Sequence, residues 1–181
     1  MTKLILYMGG CCGDIVTGLI DTKGISIQSG KCVVLKEREK LKRSFQFANN
    51  AQKDAYIASA SRYWNSLPSH DADYHMQNNH PYLGIVCSEF KTAMWAATRF
   101  RNLHRDIVWK RMSDVTGAKT IEEYARLILD FSSMIKSSAY ETIELTDIVE
   151  GNVIEKLKEL TLLDDCASIM YNQWLESVSD K

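Results

Sequence analysis

The residues best suited to chemistry lie near the start of the chain, in "LYMGGCCGDIVTG", Leu6 to Gly18. Gly9, Gly10 and Gly13 interrupt the passage from an apolar run to a helical pattern. Glycine lets the backbone approach a ligand closely, and a following helix turns its first N–H groups and positive end toward an anion. Gly9, Gly10, Cys11, Cys12 and Gly13 are therefore a candidate cradle for a nucleotide donor. Thr17 adds a hydroxyl, away from the spacing of a nucleoside-triphosphate loop, G-x-x-x-x-G-K-[ST]. The residue after Gly13 is Asp14, where that pattern requires lysine. A carboxylate there caps the helix and repels phosphate, so Asp14 is a candidate for contact with a sugar hydroxyl or for catalysis. The alternative is a glycine turn that only lets strand and helix pack closely.

Cys11 and Cys12 stand where a helix end lowers a thiol's pKa. A phosphatase-type cysteine also needs an arginine six residues on, and Thr17 and Gly18 occupy those places. Packing is the better expectation for both thiols. The histidines, His70, His75, His80 and His104, all fall between residues 70 and 104. A spacing of five between the first three fits neither a helix face nor strand alternation. With no C-x-x-C or H-E-x-x-H pattern, no metal site is expected. His70 follows "LPS" and precedes Asp71. A neutral imidazole there suits removal of a proton from an attacking hydroxyl, with Asp71 to orient it. A hydrogen-bonded structural histidine and a surface histidine are the competing readings.

"KTAMWAATRFRNLHRDIVWKR" supplies the positive charge that the glycine turn lacks. Arg101 and Arg105 are spaced i, i+4 and share a helix face, and Arg99 lies close by. Guanidinium forks suit bidentate binding of phosphate or sulfate. The competing reading is a solvated basic face that pairs with acidic C-terminal helices. Met94, Trp95, Ile107 and Trp109 read as core residues.

These residues need elements to position them. "LILYM", Leu4 to Met8, and "YLGIVCS", Tyr82 to Ser88, are apolar runs suited to buried strands. "GISIQSGKCVVLK" reads as two extended pieces about a Ser29–Gly30 turn. Residues 37–67 are helical in composition, with a break near Asn49–Asn50. A long helix is expected over about 89–112, and "TIEE", Thr120 to Glu123, is a capping box opening a helix to about Lys136. "ETIELTDI" alternates as a strand, and helices over about 150–160 and 164–178 end the chain. Strands alternating with helices predict an α/β fold, a small and mostly parallel sheet flanked by helices in three layers, with a helical C-terminus. Ligands collect at the carboxyl ends of such strands. The turn at Gly9–Asp14, the segment around His70 and the turn after Cys87 are expected to meet there.

The 181 residues, 45% hydrophobic and 25% charged, suit a single domain, 1–181. Residues 1–140 hold 19 Lys/Arg and 13 Asp/Glu, whereas residues 141–181 hold 3 and 10. The net charge of −1 thus hides a basic body and an acidic tail. No general basic coat for nucleic acid is present, although a local patch stays open. Five cysteines without a secretory pattern argue for reduced thiols in the cytoplasm. The apolar run in "MTKLILYMGG" is too short for a signal-peptide core, and nothing approaches the roughly 20 apolar residues of a membrane span.

The order of elements resembles the P-loop fold of the sulfotransferase and nucleotide-kinase type. "LILYMGGCCGDIVTGLID", "PSHDADYH", "YLGIVCSEFKTAMWAATRFR" and "IELTDIVEGNVIEKLKEL" take the places of its phosphate loop, base, third element and helical end. The resemblance spans most of the chain as topology, and its motifs are degenerate. The loop lacks the basic residue and hydroxyl pair, and Cys87 stands where a phosphate-binding arginine often begins the third element. The resemblance puts His70 at the family's base and gives Asp14 no counterpart. It implies a transferase that moves a phosphoryl or sulfuryl group from a nucleotide donor to a hydroxyl. A kinase acting on a nucleotide or a modified nucleic-acid base would use the same scaffold. A noncatalytic binding or inhibitor protein on a degenerate form of that fold is the alternative.

Overall fold

The computed structural model describes residues 4–20, 25–28, 31–34, 65–69, 82–104, 106–138 and 141–179. The first strand, β1 (Leu4–Leu6), ends at a turn that leads into helix α1 (Gly13–Ile20). A hairpin follows, β2 (Ile25–Gln28) with β3 (Lys31–Val34), pairing antiparallel with Ile25 opposite Val34. These are the two extended pieces expected about Ser29–Gly30.

The main sheet also contains β4 (Asn65–Ser69), β5 (Tyr82–Val86) and β6 (Glu141–Glu144), in the order β4-β1-β5-β6. All its pairings are parallel. The chain passes from β1 to β4 on one side, then back across to β5 on the other. The turns after β1 and β5 therefore both lie at the carboxyl edge, where open α/β sheets place ligands.

Residues 65–67 of β4 were expected to be helical. The strand contains Pro68, which has no N–H to give to a ladder, and β4 accommodates it as a sheet edge. Its register against β1 is irregular, with Leu4 opposite Asn65 but Leu6 opposite Ser69.

Helix α2 (Phe90–Leu103) and helix α3 (Asp106–Thr116) replace the long helix expected over 89–112. His104 is extended at φ −112° and ψ 144°, and its ring packs against Phe100 with centroids 4.5 Å apart. The break lets α3 fold back, so that Trp109 also reaches Phe100, at 6.3 Å between centroids.

Helix α4 (Ile121–Lys136) begins at the expected capping box: Thr120 Oγ1 accepts from the Glu123 N–H at 3.1 Å, and Glu123 Oε2 accepts from the Thr120 N–H at 3.0 Å. It buries Tyr124, Ala125, Ile128, Phe131, Ser132 and Ile135, the spacing of one helix face. That face lies on β5. A Cβ at Gly84 would stand 2.4 Å from Ile135 Cγ2, so only glycine admits the helix at this depth.

The strand expected over "ETIELTDI" stops at Glu144. Leu145–Val149 forms a short helix, α5, burying Leu145 and Ile148. Their separation of three suits a helix, and this packing overrides the alternation of the sequence. Helices α6 (Val153–Leu160) and α7 (Cys166–Ser179) complete the fold, α7 packing against α1 and β3. The molecule is thus mixed α/β, a small parallel sheet among predominant helices. Among the described residues no helix is long and apolar enough to cross a membrane.

Candidate functional site

The glycine turn lies at the carboxyl end of β1, beside the strand order's change of direction. Gly10 has φ +90° and Cys12 has φ 61°. A left-handed residue other than glycine is uncommon and costs on the order of 1 kcal/mol or more. The Cys11 N–H donates to Met8 O at 3.0 Å, and Cys12 O accepts from the N–H groups of Ile15 and Val16 at 3.1 and 3.3 Å. The turn is thus closed by its own backbone on one side and tied to the first turn of α1 on the other.

Protein atoms occupy the space that the missing side chains leave. A Cβ at Gly9 would stand 2.5 Å from the Phe100 ring, one at Gly10 would stand 2.1 Å from Ala96 O, and one at Gly13 would stand 2.0 Å from the Tyr7 ring. Helix α2 therefore crosses directly against the turn. Tyr124 reaches the same place from α4, its hydroxyl donating to Gly9 O at 3.3 Å. Phe100, Trp109 and Tyr124 form an aromatic lid there, the Phe100 and Tyr124 centroids 5.2 Å apart. Burial is the first cause that pushes the Tyr124 phenol far above its usual range, so it stays a neutral donor.

The thiols are similarly enclosed. Cys11 and Cys12 are buried, and burial pushes the Cys11 thiol well up, with the neighbouring Cys12 and Cys87 adding to the effect and the Met8 hydrogen bond opposing it. Cys87 is raised mainly by burial as well, and its Sγ donates to Glu89 O at 3.3 Å. The helix end does not dominate at Cys11. Burial holds Cys11 and Cys87 protonated at neutral pH, which suits packing. Thr17 is buried too, and its hydroxyl donates to Gly13 O at 2.7 Å, within its own helix.

The arginines flank the lid. Phe100 turns toward Gly9, and its sequence neighbours Arg99 and Arg101 project about 100° to either side of the helix. Arg99 lies over the rings of Trp95 and Trp174, at 5.7 and 5.8 Å. Arg101 lies 5.6 Å from the Trp109 centroid and pairs with Asp106 at 2.6 Å. The structure thus brings α2 to the glycine turn and engages both guanidinium groups on tryptophans and an aspartate. His70, Asp71 and Arg105 lie outside the described residues. Asp14 is not the helix cap expected of it: α1 opens at Gly13, with Cys12 O accepting its first N–H groups, so Asp14 lies within the first turn, and its side chain also lies outside the described residues.

A second polar group stands at the same edge, at the ends of β5 and β6. Ser88 Oγ donates to Glu144 Oε1 at 2.8 Å, and Lys136 Nζ donates to both Ser88 Oγ and Glu144 Oε1. Lys136 sits in the last turn of α4, and its long side chain reaches back toward that helix's N-terminus, as helical side chains do. Glu144 Oε2 is buried without a hydrogen-bond partner among the described residues. The Cys87 N–H is fixed by Ser132 Oγ at 2.8 Å, which anchors the start of the Ser88 turn. Sequence reasoning passed over Ser88, Lys136 and Glu144. The available signal was positional: Ser88 follows a buried strand and precedes a helix, and Glu144 ends the neighbouring strand.

Among the described residues no group of three or more His, Cys, Asp or Glu side chains is arranged to hold a metal ion. No protein-family model, curated protein or solved structure matches this chain.

Proposed function

We propose that the carboxyl edge of the parallel sheet receives a nucleotide, and that the chain transfers a phosphoryl or sulfuryl group from it to a hydroxyl acceptor. One observation carries this reading: the glycine turn joins the central strand β1 to α1 beside the point where the strand order changes direction. Backbone N–H groups at such a turn and the positive end of α1 would face the donor. The three-layer, P-loop-like arrangement belongs to this proposal. So do a catalytic His70 oriented by Asp71 and a nucleotide or a modified nucleic-acid base as acceptor. Arg99 and Arg101 would serve as countercharge after leaving their tryptophans.

Thermal denaturation of the full chain with adenine and guanine nucleotides, and with a sulfonucleotide, tests the reading. A ligand at about 100 times its Kd stabilises by about 2.7 kcal/mol, equivalent to roughly 5–11 °C at about 2–4 °C per kcal/mol. An unchanged melting temperature at millimolar concentrations of every nucleotide would remove the proposal.

A second reading is favoured by a specific observation, the coverage of Gly9, Gly10 and Gly13 by Phe100, Ala96 and Tyr7. The turn then serves close packing, and the chain is a noncatalytic binding or inhibitor protein on a degenerate fold. It predicts that flat response.

A further inference from the structure

Ser88 is the middle residue of the three-residue turn 87–89 between β5 and α2. It is exposed, although the strand before it is wholly buried. A hydroxyl on a strand-to-helix turn at the carboxyl edge of a parallel sheet is well placed for attack on a substrate above the sheet. Its proton already points at a base, because Ser88 Oγ donates to Glu144 Oε1 at 2.8 Å. Lys136 Nζ contacts the same two oxygens and holds them together. Beside them, α2 presents the N–H groups of Phe90 and Lys91, and Glu89 supplies no side-chain cap to its end. Such uncapped donors and the positive helix end favour negative charge developing nearby.

A structural latch would explain the ion pair alone. Exposed pairs of this kind contribute little, about 0–1 kcal/mol, and do not require a hydroxyl bonded to both charges on an accessible turn. We propose that Ser88 is the nucleophile of an acyl-transfer site, with Glu144 as general base and Lys136 as the residue that positions them. Ser88 Oγ forms a bond to the carbonyl carbon of an ester while its proton passes to Glu144 Oε1. The carbonyl oxygen becomes an oxyanion facing the first N–H groups of α2. The bond from carbon to the leaving oxygen then breaks, and Glu144 returns the proton to that oxygen. Water attacks the acyl-serine in the same way and regenerates Ser88, so no co-reactant beyond water is needed. Two carboxylates, Glu89 and Glu144, and one ammonium, Lys136, act electrostatically on the neighbouring Cys87, and this balance of charge favours an uncharged carboxylic ester over an anionic one. The inference is independent of nucleotide binding and stands or fails separately from it.

The test is phosphonylation of the full chain by a fluorophosphonate, which reports serine nucleophilicity, with the modified residue located by peptide mass spectrometry. Ser88 should react faster than the exposed Ser137 and Ser177, which serve as controls within the same molecule. Glu144→Gln should slow modification roughly 10²-fold, the low end of what a general base contributes. Lys136→Arg should retain most of the rate and Lys136→Met should lose it, both with a melting temperature within about 4 °C of the unaltered chain. The proposal is overturned if Ser88 reacts no faster than Ser137 and Ser177. Equal rates in folded Glu144→Gln and the unaltered chain would overturn it as well.

Discussion

Replacing Gly10 by alanine separates the two uses a glycine turn can have. Gly10 has φ +90°, and a Cβ there would meet Ala96 O at 2.1 Å and Ala96 C at 2.9 Å. The obstacle is the backbone of α2, which cannot swing aside as the end of a flexible side chain would. Holding an L-residue in the left-handed region costs about 1–2 kcal/mol. Forcing a packed element to shift adds about 1–3 kcal/mol. Together these give about 2–5 kcal/mol, or roughly 4–20 °C in Tm at about 2–4 °C per kcal/mol. Gly117 supplies the control, since it has φ +79° and nothing within 4 Å of its added Cβ. Gly117→Ala should therefore show the conformational cost alone, about 1–2 kcal/mol. Urea denaturation of both variants measures the difference. Equal destabilisation, or a smaller effect at Gly10, would refute the claim that α2 lies against the turn.

Two further outcomes follow from the titrating groups. Backbone N–H groups of Lys119 and Thr120 lower the Glu123 carboxyl below its usual value, so its contribution is complete above the unfolded pKa and fades as pH falls through the lowered folded value. The melting-temperature gap between the unaltered chain and Glu123→Ala should accordingly be present at pH 7 and shrink toward pH 3; a gap that widens on acidification would contradict the capping geometry. The Cys11 thiol, pushed up chiefly by burial, should resist iodoacetamide at pH 7.5 and react once urea unfolds the chain. Mass-resolved alkylation checks this, and rapid labelling of Cys11 in the folded protein would show that the turn is open.

Local signals carried much of the architecture. The capping box at Thr120 to Glu123 involves neighbours three residues apart, so its geometry is present in the sequence itself. Apolar runs marked β1 and β5, and both prove wholly or largely buried, with Ile5, Leu6 and Leu83 fully enclosed. Elements set by distant partners were harder to read. Asn65–Ser69 became a strand because β1 offers an edge that tolerates Pro68. Leu145 and Ile148 became helical because burying both requires it. The break at His104 reflects an aromatic cluster assembled by Phe100, Trp109 and Tyr124, whose members come from three helices.

The same distinction governs the glycine turn. A phosphate and a helix backbone make the same demand on the residue that receives them: no Cβ may stand in the way. "GGCCG" reports that demand and carries no record of what satisfies it. The answer comes from Ala96, Phe100 and Tyr124, more than eighty residues away, which fill the space over Gly9 and Gly10. A donor entering above these glycines would have to displace the aromatic lid, whereas one held by the first N–H groups of α1 could leave it in place. Nucleotide binding that survives Phe100→Leu would favour the second path. Ser88 escaped notice for the opposite reason: a serine, a lysine and a glutamate separated by 48 and 8 residues carry no motif, and it takes the pairing of β5 with β6 and the packing of α4 on β5 to make them neighbours.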